Sequence, residues 1–299
     1  MRRYIWIVLF VSGCFWPAKP AVYKVRIEKD LCYLEPNRAE KFDLYSPVVT
    51  DANQLFPAVV IIHGGGWWGG DKAKAREQNI GVTLAGNGYV CMSINYLVSK
   101  KSEQAQQGSA GWPENLYDCK RAVQFLRKNA KAYQVDPNHI GVIGGSAGGH
   151  LAAMVGLTGS EPGLEPNRPY EGISGRVQAV VALYGVFNLL TREANNPAVE
   201  TFLGVAKEQN RRLWEFASPV NHISSDDPPF LIIHGTADKV VDYRQSIEMD
   251  ARLREKGVQS EVVLIDGAPH SFDLQPKQRD LRAMVIGFFD KHLKTHDTR

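Results

Sequence analysis

Residues 139–150 read HIGVIGGSAGGH. An apolar run ends in Gly144-Gly145-Ser146-Ala147-Gly148-Gly149, and the helix-forming segment LAAMVGL follows at once. Gly144-x-Ser146-x-Gly148 set between a strand and a helix is the pattern of a nucleophile elbow, a turn so tight that only small residues fit on either side of the serine. The turn exposes the hydroxyl at a helix N-terminus, where the aligned peptide dipoles favour developing negative charge. A lone G-x-S-x-G arises often as a plain glycine-rich turn, so the flanking strand and helix are what give this one chemical meaning.

An elbow of this kind belongs on a parallel sheet, and the chain on either side has the matching rhythm. Continuous apolar runs at 58–62, 89–95, 140–144, 177–183, 230–234 and 261–265 fit strands buried on both faces. Amphipathic patterns at 73–85, 114–132, 147–157, 244–256 and 278–293 fit helices between them. Two earlier strands, 23–27 and 41–46, alternate apolar with polar residues and predict an edge exposed on one face. The whole predicts one α/β domain over residues 21–299, with a mostly parallel eight-stranded sheet and helices on both faces. Residues 99–111, 158–175 and 184–228 break the alternation. They read as surface excursions, the last forming a small cap with a weak helix at 210–216.

A serine hydroxyl is a weak nucleophile at neutral pH and needs a base, which in turn needs an orienting carboxylate. On a parallel sheet both should stand in loops at the carboxyl ends of later strands, in the order Ser, Asp, His. Asp238 follows the run 230–234 in GTADKVV, and His270 follows 261–265 in DGAPHSF. Asp242, Asp266 and Asp273 lie close enough to compete for the acid's role, although Asp242 stands where a helix cap is expected. His63, His150, His222 and His234 sit beside strand ends or turns and read as hydrogen-bonded structural residues. No His, Cys, Asp or Glu grouping has metal-ligand spacing, no H-E-x-x-H occurs, and GGSAGG lacks the lysine of a phosphate loop. No metal, cofactor or nucleotide is therefore expected.

The second glycine-rich stretch is HGGGWWGGDK at 63–72, directly after AVVII. Glycine in regular structure costs roughly 0.5–1 kcal/mol relative to alanine, so bare backbone must be needed there. Attack by Ser146 on a carbonyl creates an oxyanion that requires backbone N–H donors, and removing one typically costs about 2.7–4 kcal/mol of barrier. One donor is the N–H of Ala147, and others come from the loop after the third strand, which is where 63–66 lie.

Composition bounds the remaining possibilities. The chain has 299 residues, 44% of them apolar, and a formal charge of +3 with lysines and arginines scattered, which gives no support for nucleic-acid binding. Residues 1–20 differ: Arg2 and Arg3 precede an apolar run at 4–11, too short to span a membrane and suited to an export signal. Val11-Ser12-Gly13-Cys14 resembles a bacterial lipobox, which makes Cys14 a lipidation site and predicts membrane anchoring through its lipid. An ordinary cleaved signal and an uncleaved anchor are the alternatives, and both export the chain. Of the four cysteines, Cys32, Cys91 and Cys119 then remain, an odd number that makes no disulfide framework. Cys91 and Cys119 read as small buried apolar residues, with a bridge between them left open.

HGGGWWGGDK, SINY at 93–96, GGSAGGHLAA, HGTADKVVDYRQS and GAPHSF together resemble the α/β-hydrolase superfamily. The nearest likeness is to its exported bacterial esterases related to the hormone-sensitive-lipase branch, including feruloyl and acetylxylan esterase types. The resemblance covers about residues 23–293. It implies Ser146, Asp238 and His270 as the triad, the N–H groups of Gly65, Gly66 and Ala147 as the oxyanion hole, and hydrolysis of short-chain carboxylic esters. Two departures stand out: Val241-Asp242-Tyr243 where such sequences read Val-Pro-Tyr, and Tyr184-Gly185-Val186-Phe187-Asn188 where they often read Tyr-Gly-Pro-Thr-Asp.

The expectation is a serine carboxylesterase working through an acyl-enzyme on short-chain or aromatic acyl esters, with small-molecule and carbohydrate esters as substrates. Trp67 and Trp68 would form a wall for the acyl or leaving group, with simple loop packing as the competing reading. The expected location is the cell envelope, as a lipoprotein, or the periplasm or exterior. A serine peptidase or amidase on the same fold is the nearest alternative. A non-catalytic binding protein is disfavoured, because it has no need of Ser146, Asp238 and His270 in order.

Overall fold

The computed structural model describes residues 22–100, 111–159, 161–191 and 197–294. The expected leader with Cys14 lies outside the described residues. The strands are β1 Val25–Leu31, β2 Phe42–Pro47, β3 Phe56–Ile62, β4 Val90–Ile94, β5 Val135–Gly145, β6 Ala179–Leu183, β7 Phe230–Gly235 and β8 Ser260–Ile265. They form one sheet in the order β1-β2-β4-β3-β5-β6-β7-β8. β1 and β2 run antiparallel to their neighbours, and β3 to β8 are parallel. The helices are α1 Ala75–Gly86, α2 Glu114–Lys128, α3 Ala147–Leu157, α4 Pro197–Leu203, α5 Arg211–Phe216, α6 Arg244–Glu255 and α7 Arg282–Leu293.

The two-residue period of a strand divides each apolar run between two cores. Ala58, Val60 and Ile62 of β3 and Val180 and Ala182 of β6 join one core with residues of α2, α3 and α6. Val59, Ile61, Val181 and Leu183 face the other core, with Ile80 and Leu84 of α1 and Val285 and Phe289 of α7. Cys119 belongs to the first core and Cys91 to the second, so they lie on opposite faces of the sheet and are both free thiols. The expectation of an edge exposed on one face holds for neither strand: β1 is exposed on both faces from Arg26 to Asp30, and all six residues of β2 are buried. β2 is flanked by β1 and β4, its Tyr45 lies against Gly81 of α1, and its Phe42 meets Phe125 of α2 edge-on. The excursion after β6 carries two short helices, α4 and α5. The sequence suggested only α5, which Asn210 caps by accepting a bond from the Leu213 N–H.

α3 is buried along its whole length, as its uniformly small and apolar sequence AGGHLAAMVGL allows. Its first turn presses against the end of β3. A Cβ on Gly148 would stand 2.1 Å from the Ile62 carbonyl oxygen and 2.6 Å from that of His63, both backbone atoms that cannot swing aside. Gly148→Ala is therefore expected to destabilise the fold by about 2–4 kcal/mol through overpacking. Gly287→Ala in α7, where the added methyl meets nothing within 4 Å, serves as the control and should be neutral or slightly stabilising. Equal midpoints for the two variants in denaturant titrations would refute the steric account.

Candidate active site

The loops leaving β3, β5, β7 and β8 meet at one end of the sheet, the carboxyl end where ligands bind in open α/β folds. Ser146 turns from β5 into α3 with φ 58° and ψ −122°. A non-glycine residue in that region is strained, and the surrounding structure must hold it there. Part of the hold is the Ser146 N–H, which donates to the Leu183 carbonyl at 2.9 Å.

Ser146 Oγ lies 2.9 Å from Nε2 of His270, and His270 Nδ1 lies 2.6 Å from Oδ2 of Asp238. Since Nδ1 faces a carboxylate, it carries the proton, and Nε2 is left to accept from the serine. The Asp238 side chain is fully buried. Its Oδ1 accepts from the N–H groups of Val240 at 2.8 Å and Val241 at 2.9 Å. Burial by itself would raise this carboxyl, but the hydrogen bonds from His234, His270, Val241 and Val240 outweigh it and hold Asp238 well below the usual carboxylate range. The competing acids are occupied elsewhere. Asp242 accepts from the Arg244 N–H at the start of α6, Asp266 from the Thr236 hydroxyl, and Asp273 from the Gln275 N–H.

Tyr184, the first residue of the departing YGVFN segment, supports the histidine loop. Its hydroxyl donates to the Phe272 carbonyl at 2.7 Å and accepts from Arg76 Nη1 at 2.9 Å, and its ring meets the His270 ring edge-on at 4.9 Å. Sequence reading gave Tyr184 no role beyond its place in that segment and did not name Arg76, because both act only across distances that folding closes.

The 63–72 loop wraps over the serine with Gly65 at φ 125°, Gly66 at φ 61° and Trp67 at φ 62°. Left-handed backbone is open to glycine without strain, and it turns successive N–H groups toward one side. Among the described residues the N–H groups of Gly65, Gly66 and Ala147 find no acceptor. These three residues line a cavity of about 750 Å³ together with Ser146 and His270. The loop is tied at both ends. His63 stacks on Tyr96 at 4.3 Å, and the Tyr96 hydroxyl donates to the His63 carbonyl at 3.0 Å. Lys72 Nζ lies 2.7 Å from Asp43 and 2.8 Å from Asp30.

The two tryptophans part company. Trp67 is 2% exposed, its ring stacked on Phe202 at 4.6 Å and its Nε1–H donating to His150 Nδ1 at 3.2 Å. The Trp67 indole thus anchors the loop to α3 and α4, the loop packing that was the competing reading, while the residue still lines the cavity beside Gly66. Trp68, 41% exposed, lines the cavity, as do Val186, Ala198, Val240 and Val241 and the charged residues Lys74, Arg76 and Glu77. His150 donates from Nε2 to the Ala217 carbonyl at 2.8 Å, so both its nitrogens are used, as a structural histidine requires. His234 was read the same way, yet it touches Asp238, with Nε2 3.1 Å from Oδ2. The signal that could have found it is its place four residues before the acid at the end of a strand. Among the described residues no group of three or more His, Cys, Asp or Glu could hold a metal ion, and no helix is long and apolar enough to cross a membrane.

Comparison with known proteins fits this architecture. The BD-FAE family model matches residues 42–253, and the chain belongs to that family. The Mycobacterium tuberculosis protein named "Probable carboxylic ester hydrolase LipM" is 33% identical over 252 residues, covering 82% of this chain and 56% of the relative. The chain spans just over half the length of the curated relatives it matches. A truncated carbohydrate esterase from gut microbiota superposes with a TM-score of 0.77 at 24% identity, over 93% of this chain and 99% of the other, a likeness of fold. The acetyl ester-xyloside bifunctional hydrolase from Caldicellulosiruptor lactoaceticus gives a TM-score of 0.71 at 26% identity, over 86% of this chain and 90% of the other. The α/β-hydrolase fold expected from the motifs is the fold observed.

Burial lowers His150 to about 4 from its ordinary value of 6.5, against the opposing effect of its bond to Ala217. Between those values the unfolded chain binds the proton and the folded chain does not, so stability falls as pH drops from about 6.5 toward 4. His63 is lowered by burial in the same way, also to about 4. Each histidine is expected to remove about 1–3 kcal/mol over that interval. Thermal melts of wild type and His150→Gln between pH 7 and pH 4 check this. The variant should lose less stability on acidification, and an identical pH slope would rule out His150 as a source.

Proposed function

We propose that this BD-FAE family member is a serine-dependent carboxylic ester hydrolase of the cell envelope. The observation that carries the reading is the unbroken line Ser146 Oγ, His270, Asp238, at 2.9 and 2.6 Å, beside three N–H donors that lack acceptors. As Ser146 Oγ attacks the ester carbonyl carbon, its proton passes to His270 Nε2 and the carbonyl electron pair moves onto oxygen. The N–H groups of Gly65, Gly66 and Ala147 receive that oxyanion without reorganising. Collapse expels the alcohol, which takes the proton from Nε2 and leaves Ser146 acylated. Water then follows the same path, releasing the acid and restoring the serine. Asp238 stays ionised throughout and orients Nδ1–H.

The acyl group is small, acetyl or aromatic, with Trp68 and Val186 in the apolar part of the cavity lining. A 750 Å³ cavity lined by both apolar and charged residues suits an ester that carries apolar and hydroxylated parts. The likeness to an acetyl ester-xyloside hydrolase supports an acetylated carbohydrate as the class to try first. Export follows from residues 1–20, with Cys14 as the lipidated N-terminus of the mature protein.

Hydrolysis of aryl acetates, butyrates, longer esters and aryl amides by wild type and Ser146→Ala tests the activity. Wild type should prefer acetate over long acyl groups and leave amides intact, and Ser146→Ala should lose about four orders of magnitude or more in kcat/KM. An inert wild type, or a variant that keeps its rate, would sink the proposal. Separately, cells fed a labelled fatty acid should label wild type but not Cys14→Ala, and an unlabelled wild type would overturn the lipoprotein reading.

A further inference from the structure

We propose that His234 is a positioning residue of the triad, one that shares a single carboxylate oxygen with His270 and thereby sets how Asp238 holds the base. The inference rests on reading Ser146, His270 and Asp238 as the hydrolytic triad.

His234 is the penultimate residue of β7, fully buried, and its surroundings fix its tautomer. Nε2 stands 3.1 Å from Asp238 Oδ2 and 3.0 Å from the Val241 carbonyl oxygen. Both are acceptors only, so Nε2 carries the proton and divides it between them. Nδ1 then accepts from the Ser246 hydroxyl, 2.6 Å away in the first turn of α6. With its one proton directed at Nδ1, the Ser246 hydroxyl completes the Nε2–H tautomer.

The consequence lies in which oxygen is used. Asp238 Oδ1 is filled by the Val240 and Val241 N–H groups, and Oδ2 takes both imidazole donors, His270 at 2.6 Å and His234 at 3.1 Å. The carboxylate thus has no rotation that keeps all four bonds, and its plane is fixed toward His270. The Val241 peptide is tied from both sides, since its N–H donates to Asp238 and its carbonyl accepts from His234. A second donor on Oδ2 also withdraws charge that would otherwise act on the His270 imidazolium. Without it, Asp238 attracts that proton more strongly and the base gives it up less readily.

Several charged groups around the pair are engaged on their own partners, and Lys74 lines the same cavity as His270. Tyr184 at the end of β6 meets His270 edge-on and is joined to Arg76, which pairs with Glu77. On and before α6, Asp242 bonds Arg244, Glu248 bonds Asn188 and Arg252, and Asp250 bonds Arg254. Asp266 accepts from Thr236 beyond β8.

Two substitutions separate positioning from packing. His234→Phe keeps an aromatic ring but removes the donor, and His234→Gln keeps an N–H at similar reach. With para-nitrophenyl acetate, His234→Phe should lower kcat about 10- to 100-fold, the loss of one hydrogen bond to a charged group, with KM within about threefold of wild type. The acid limb of its kcat/KM profile should move to higher pH, and His234→Gln should recover most of kcat and return the limb. A folded His234→Phe with wild-type kcat and pH profile, or a His234→Gln as impaired as His234→Phe, would overturn the proposal. Nitrogen NMR of histidine-labelled wild type tests the geometry without activity, with the His234 signals assigned by their loss in His234→Gln. A protonated Nε2 and bare Nδ1 are expected, and the opposite tautomer refutes the proposal even where His234→Phe does not fold. If wild type hydrolyses no ester, the triad reading fails on its own, while the tautomer still decides whether His234 donates to Asp238.

Discussion

Two glycine-rich turns pressed backbone against backbone govern this molecule. The first turn of α3 lies on the end of β3 so closely that Gly148 leaves no room for a methyl group. In the reverse direction, a Cβ on Gly64 would come within 2.6 Å of the Gly145 carbonyl oxygen. That apposition places the N–H groups of the 63–72 loop and the hydroxyl of Ser146 on one cavity. Were either turn displaced by a methyl group's width, the donors would no longer stand at hydrogen-bonding distance from an atom bound to Ser146, and that geometry is steep.

Holding such turns in place takes side chains outside the Ser146, His270 and Asp238 line. Trp67 sits in a left-handed conformation that costs an L-residue about 1–2 kcal/mol, and its indole is clamped by Phe202 and His150. Lys72 is buried between Asp43 and Asp30, which compensates its charge and anchors the far end of the loop. Tyr184 does the equivalent for the histidine loop through Phe272 and Arg76. Histidines 63, 150 and 234 have every hydrogen bond they make inside the protein. Burial keeps the first two neutral, so these two histidines add no charge beside the loop near neutral pH.

Some of this was legible before any coordinate. Ser146 stood out because its elbow is local, written in glycine spacing between a strand and a helix. Asp238 and His270 stood out because a parallel sheet places its working loops at one end, so strand order alone nominated two loops. The acid was harder, since Asp238, Asp242 and Asp266 all lie at suitable distances along the chain. Three-dimensional distance separates them: only Asp238 aims at His270, and Asp242 spends its oxygens on Arg244. The strand β2 misled for a related reason. Its alternation promised one wet face, but tertiary neighbours cover both, and side-chain pattern cannot report what packs on the far side.

By itself the sequence determined the periodicities that make a doubly covered parallel sheet, the two glycine turns and the residue types they display. These are local properties, set by steric limits on φ and ψ and by the two- and 3.6-residue repeats. What only the tertiary structure decided is which side chains share an atom. Trp67 faces inward and Trp68 outward although they are neighbours, and His234 reaches the carboxylate that also holds His270. Such choices turn on packing and hydrogen-bond geometry between segments far apart in sequence, where a displacement of about one ångström separates a bond from none.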